Sequence, residues 1–216
     1  MRKKTGIRIA DKTALKAMRE EGLPCRTRRR RKYRSSMGQV GKPSPNLPAR
    51  DFEVEDPMTK LVTDVIEFKV DGTKPYLSRV VNNCNDEVVA YSISRSPNMK
   101  MVLEMLASLE GRLDGEDAPL LHSDIGRQHQ MPVHRLALER MGIVRFMPRK
   151  GSCLDNAKGE NFFSMVKTEL YYNWEGDDPG VFERCLEKRI DRRNNARIKK
   201  RLDGSSPVEH RLGRAA

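Results

Sequence analysis

The stretch from Lys60 to Ile93 limits the possible fold most severely. Leu61 to Val70 is rich in β-branched residues and reads as a strand, with Asp64 in its middle. Tyr76 to Val81 and Val88 to Ile93 repeat the pattern. The first two runs are joined through Asp71-Gly72, a tight-turn signal. The second and third are joined by the polar run Asn82 to Asp86. Three strands this closely spaced predict an antiparallel meander. Beyond Pro97 the period changes. Val102, Leu103, Leu106 and Leu109 recur at helical spacing between Met99 and Leu113. Then follow a strand at Pro119–His122, a helix at Val133–Met141 and a strand at Ile143–Met147. Two helices, from about Asn156 to Tyr172 and from about Val181 to Lys199, complete the pattern. The order β-β-β-α-β-α-β-α-α predicts an α/β fold, a mixed five-stranded sheet flanked by helices on both faces. No internal repeat is present.

Charge divides the chain in two. The 216 residues carry a net charge of +12. Residues 1–50 hold 16 Lys and Arg against 3 Asp and Glu, while the remaining 166 hold 26 against 27. All of the excess is therefore N-terminal. A short helix is predicted from Lys12 to Glu21, with Ala14, Leu15 and Met18 on one face and Gly22 ending it. Arg28, Arg29, Arg30, Arg31 and Lys32 follow, in a run too charged to pack. Pro43, Pro45 and Pro48 mark an extended linker. The expected organisation is a basic segment over 1–50 and a folded core over 51–216. A concentrated basic segment binds phosphates by releasing counterions, so nucleic acid is the expected partner. A solvated tail or a sheath for anionic lipid is the alternative.

Other classes are disfavoured. No apolar run approaches the roughly 20 residues of a membrane helix. No apolar stretch follows the basic start, so a secretory leader is not expected and the cytoplasm is. Cys25, Cys84, Cys153 and Cys185 show no paired spacing, and His122, His129, His134 and His210 do not complement them. Free thiols are expected rather than a zinc ribbon or a redox pair.

The carboxylates carry the chemistry. Asp64 is mid-strand among Val62, Val65 and Ile66, where a charge is costly unless it is paired. Asp124 follows the fourth strand, at the end where open α/β sheets collect ligands. Glu160 lies in the first turns of a helix, after Asp155, which suits an N-cap. Three acids from three elements could converge on one sheet edge, and such an oxygen-rich cluster suits Mg²⁺ or Mn²⁺. Each has a plainer reading: a solvent-facing strand residue, a turn opener, an exposed helix residue. Glu67 rivals Asp64, but period-two alternation sends the two to opposite faces.

Spacing and flanking residues favour the cluster. Thr63-Asp64-x-x-Glu67-Phe68, His122-Ser-Asp124-x-Gly126-x-Gln128 and Lys150-Gly-x-Cys-Leu-Asp-Asn-Ala-x-x-Glu160-Asn-Phe-Phe163 stand in order, with 35 residues between Asp124 and Glu160. From about Arg50 to Arg211 this resembles the catalytic core of insertion-sequence transposases of the OrfB type, in the IS-three family. These are relatives of retroviral integrases with a DD(35)E pattern and a ribonuclease-H-like fold. Asn195-x-Arg197, Leu202 and Ser206-Pro207 resemble the family's tail. Residues 9–34 resemble the last helix and basic stretch of the family's helix-turn-helix, which implies an N-terminally truncated module. The family usually has Trp at Leu61, Asp at Asn82 and Tyr at His129.

The resemblance implies a DNA transposase that cleaves insertion-sequence ends and transfers them to target DNA. Asp64, Asp124 and Glu160 would hold two Mg²⁺ or Mn²⁺ ions, about 3.5–4 Å apart as in comparable sites. No covalent protein–DNA intermediate is then needed. Asn156, Glu160 and Lys167 fall on roughly one helix face. Candidate DNA contacts are Arg28, Arg29, Arg30, Arg31, Lys32, Arg149, Lys150, Asn156, Lys167 and Arg197. Self-association on DNA is expected, and a separately encoded helix-turn-helix partner is compatible with the truncation. The alternatives are a non-catalytic DNA-binding remnant or inhibitor of transposition, a ribonuclease-H-like repair nuclease, and a basic RNA-binding protein. Aromatic content of 6% offers little stacking surface for the last.

Overall fold

The structure is a computed structural model that describes residues 9–23, 56–114, 118–123, 126, 128–146 and 157–214. A helix, α1 (Asp11–Glu20), precedes β1 (Lys60–Glu67), β2 (Tyr76–Asn82) and β3 (Val88–Ser94). Then come α2 (Met99–Glu110), β4 (Leu120–Ser123), α3 (Pro132–Arg140), β5 (Val144–Phe146), α4 (Ala157–Glu169), α5 (Pro179–Asn195) and α6 (Pro207–Arg214). The five strands form one sheet in the order β3-β2-β1-β4-β5. The first three pair antiparallel, and β4 runs parallel to both β1 and β5. This is the mixed sheet that the strand pattern predicts.

The β1–β2 register follows from its turn. Asp71 and Gly72 have φ of 43° and 70°, the paired positive angles of a type I′ hairpin. Val70 and Thr73 exchange backbone hydrogen bonds of 3.0 and 2.9 Å across it. Counting outward from that turn brings Glu67 to Tyr76 and Asp64 to Arg79. The first strand is predicted to reach Val70, but its regular ladder stops at Glu67. Phe68 donates to the carbonyl of Pro75, and proline has no N–H to return the bond.

Period-two alternation sorts the sheet into two faces. Leu61 and Val80 pack with Met101, Val102, Met105, Leu106 and Leu109 of α2, and with Leu138 of α3. Ile66, Leu77 and Val81 pack instead with Phe162, Phe163 and Val166 of α4 and with Phe182, Leu186 and Ile190 of α5. The sheet thus carries helices on both sides. Asn98 caps α2, its side chain accepting from the Met101 N–H at 3.1 Å. Asp178 caps α5 in the same way, with Pro179 as its first residue. By contrast α1 buries none of its residues.

Two helix ends and one whole helix differ from expectation. The helix expected to reach Tyr172 ends at Glu169 and tightens into a 3₁₀ turn at Tyr171–Asn173. There Tyr171 leaves the helical path to pack on Phe68 and Phe182, and the Asn173 amide donates to the Thr168 carbonyl at 2.6 Å. The helix expected to reach Lys199 ends at Asn195. Beyond it, Lys199 bridges Ser205 around a turn in which Asp203 and Gly204 adopt φ of 51° and 77°. Finally, α6 is an element that the strand and helix patterns do not predict, because it has too few apolar residues to show a helical period. It begins with a capping box in which the Glu209 N–H donates to the Ser206 hydroxyl and the Ser206 N–H to the Glu209 carboxylate.

Candidate active site

Asp64 sits half-buried on β1, on the sheet face that packs against α4 and α5. One carboxylate oxygen accepts a 2.8 Å hydrogen bond from the Val65 N–H. Glu67 lies on the other face and is exposed. It accepts from the Tyr76 hydroxyl at 2.8 Å and lies 3.4 Å from the Lys74 ammonium. Those partners, the Tyr76 hydroxyl foremost, lower its pKa. Glu67 is therefore engaged away from the face that carries Asp64.

The neighbouring strand brings the chain back to Asp64. In the parallel register of β1 and β4, Ser123 stands beside Thr63, and both are buried. Asp124, the residue after Ser123, lies outside the described residues. Glu160 falls within α4, but its side chain is likewise outside the description. Downstream on that helix, Phe162, Phe163 and Val166 are buried against the same sheet face. Asn156, Arg149, Lys150 and the run Arg28, Arg29, Arg30, Arg31 and Lys32 also lie outside the described residues. Among the described residues, no three His, Cys, Asp or Glu side chains group as metal ligands.

Two other expected DNA contacts are placed. Lys167 is half-buried near the C-terminal end of α4. Arg197 is exposed just beyond α5, and its guanidinium lies 2.7 Å from both the Glu169 carboxylate and the Met165 sulfur. Arg197 thus ties the end of α5 to the end of α4. The three family departures are buried or in contact with buried groups. Leu61 fills the α2-side core, Asn82 accepts from the Cys84 N–H at 3.1 Å, and His129 packs on His134 at 5.2 Å between ring centroids.

The most unexpected residue is Arg79. It stands directly opposite Asp64 in the antiparallel register and is fully buried. Its guanidinium carbon lies 4.3 Å from the Phe162 ring centre and 4.0 Å from that of Phe163, both on α4. Such stacking is attractive by roughly 0.5–1 kcal/mol at exposed sites and by about 2 kcal/mol when desolvated, as here. Arg193 of α5 approaches Phe162 at 5.0 Å, so two cations contact one ring. Burial pushes the Arg79 pKa down to about 9, Asp64 opposes that shift, and Arg193 adds to it. Arg79 therefore keeps its charge at neutral pH, with the Asp64 carboxylate favouring that form. A sequence signal for the pair exists. Arg79 is the one charge inside Tyr76–Val81, and the Asp71-Gly72 turn aligns it with the one charge inside Leu61–Ile66.

Comparison with known proteins places this arrangement in context. The family model described as Integrase core domain matches residues 54–153. A protein described as transposase InsK of insertion element IS150, from Escherichia coli, is 41% identical over 84% of this chain and 64% of its own length. A transposase-like protein from Haemophilus influenzae is 39% identical over 95% of this chain and 94% of its own. The chain thus spans just under two thirds of the InsK protein and nearly all of the Haemophilus one. Among solved structures, a chain of the simian T-cell lymphotropic virus intasome superposes with a TM-score of 0.62 at 14% identity, covering 74% of this chain and 56% of that one. The HTLV-2 integrase catalytic core domain, solved in dimeric form with magnesium, gives 0.53 at 14% identity, over 72% of this chain and 97% of that one. At that identity the likeness is one of fold, the ribonuclease-H-like core of integrases.

Proposed function

The chain belongs to the insertion-sequence transposases that carry an integrase core, and from that membership we propose that Asp64, Asp124 and Glu160 form a metal site for cutting and joining DNA strands. The observation that carries this reading is the placement of Asp64. It leaves the sheet on the face that α4 covers, beside the end of the strand that leads into Asp124. Carboxylate oxygens are hard donors of the kind Mg²⁺ and Mn²⁺ prefer, so the donor set fits a divalent ion. Asp64, Asp124 and Glu160 would together hold the divalent ions, two of them in the reading proposed here. A divalent metal held there would supply Lewis acidity for attack by water or a 3′-hydroxyl and for departure of the leaving oxygen.

The protein's own groups do the rest. The Val65 N–H fixes one oxygen of Asp64. Packing of Phe162, Phe163 and Val166 seats α4, and so the backbone of position 160, on the sheet. Lys167 and Arg197, with Arg149, Lys150 and Asn156, supply donors for phosphate oxygens, and the 28–32 run adds sequence-independent grip on the duplex. The substrate is DNA at insertion-sequence ends and at the target. Self-association on that DNA is part of the proposal, supported by the intasome and the dimeric core among the structural neighbours. A separately encoded helix-turn-helix partner is compatible with it.

The test is joining of labelled terminal-repeat DNA to a target plasmid. Wild-type protein is expected to nick and join in Mg²⁺ and to stop on chelation. Asp124→Asn and Glu160→Gln should bind the same DNA within about threefold yet fall by at least about 10²-fold in joining, as loss of a group acting on the transition state requires. DNA binding by the wild type without joining at any Mg²⁺ or Mn²⁺ concentration would instead favour a non-catalytic DNA-binding protein.

A further inference from the structure

Arg79 is a fully buried group that the proposed chemistry does not use. Its placement is built rather than incidental. The hairpin turn sets it across from Asp64, and two aromatic rings of α4 lie against its guanidinium at 4.0 and 4.3 Å. A fully desolvated guanidinium is costly unless an anion accompanies it. Asp64 is the carboxylate that favours its charged form, while Arg193 opposes it. The same carboxylate is the proposed metal ligand. The site therefore holds a fixed cation where a divalent ion would need net negative charge.

We propose that Arg79 is a built-in counter-cation to Asp64, a positioning residue that weakens binding of divalent metal to the DNA-free protein, so that full loading awaits the negative charge of DNA phosphates. The proposal rests on the reading of Asp64 as a metal ligand. Its physical basis is the sign of the interaction. A fixed positive charge beside the ligand repels a dication, and a phosphate brought alongside offsets that repulsion. The two phenylalanines hold the guanidinium in place, since swinging it away would break both ring contacts. Arg79 also joins the strand that bears Asp64 to the helix that bears position 160.

The experiment is direct titration of the full chain with Mn²⁺ alone, read by the electron paramagnetic resonance signal of free Mn²⁺, without DNA. Wild type, Asp64→Asn, Arg79→Met and Arg79→Lys are compared, with folding checked by circular dichroism. Asp64→Asn should weaken binding. If it does not, the metal-site reading itself fails. Given that control, Arg79→Met should tighten Mn²⁺ binding by about tenfold, through removal of one nearby positive charge. Arg79→Lys keeps the charge but loses the planar stack, and should stay within about threefold of wild type. Unchanged or weaker binding in Arg79→Met overturns the counter-cation role while leaving Asp64 as a ligand. Should Arg79→Met fail to fold, Arg79→Lys decides alone, and tightening there overturns the proposal. In the wild type, an oligonucleotide duplex should tighten Mn²⁺ binding more than it does in Arg79→Met. Equal tightening in both contradicts the coupling.

Discussion

At the scale of single residues, each buried polar side chain must be paired or held neutral, and this sets what its substitution costs. Asp64 is legible because a carboxylate in a β-branched strand demands an explanation. Arg79 is harder to see, because its meaning lies in a cross-strand register that depends on the hairpin turn. His134 has no metal-ligand spacing to mark it in the sequence, yet it is fully buried. Its ring nitrogens have no hydrogen-bond partner among the described residues. Burial first, then His129 and Arg145, pushes its pKa down to about 4. In the unfolded chain a histidine titrates near about 6.5. Between those values the unfolded chain binds a proton that the folded one refuses, so stability falls as pH drops from about 6.5 to about 4. Urea unfolding should lose roughly 1–3 kcal/mol across that window, and less in His134→Gln. An identical pH slope in the variant would assign the effect elsewhere.

At the scale of elements, the strands and the order of helices are legible because their patterns are local. The ends of helices are not, because distant contacts decide them. Tyr171 leaves the helical path to meet Phe68 and Phe182, and no periodicity in 156–172 announces that. The docking of α6 is a similar case. Glu87, in the β2–β3 turn, is fully buried and accepts two hydrogen bonds from Arg211 of α6 at 2.8 and 3.1 Å. Asn85 adds a 2.8 Å bond to the Pro207 carbonyl. Removing one partner of a buried ion pair leaves the other desolvated, so Arg211→Ala should cost about 3–5 kcal/mol in urea unfolding. Replacing both, as Glu87→Gln with Arg211→Met, should recover more than half of that loss. Hydrogen exchange over 207–214 should rise in the single variant. Wild-type protection there would show that the ion pair does not hold the helix.

The whole molecule divides its labour by charge, and this is plain from the sequence, since all of the net +12 resides in residues 1–50. That segment should supply salt-dependent grip, with the near-neutral remainder supplying the site. Replacing Arg28, Arg29, Arg30, Arg31 and Lys32 together by Gln should weaken binding to unrelated duplexes. The slope of log affinity against log salt should become shallower by about 2–4, at about 0.9 for each phosphate that is no longer neutralised. An unchanged slope would move the grip to the core. The proposed site requires three carboxylates, drawn from β1, the end of β4 and α4, to meet around divalent metal. Fe²⁺ with ascorbate and peroxide cleaves a protein backbone beside the bound metal. In the full chain, cuts should cluster around Asp64, Asp124 and Glu160, be suppressed by excess Mg²⁺ and be absent in Asp64→Asn. Cuts at only one of the three positions, or a pattern unaltered in Asp64→Asn, would contradict it.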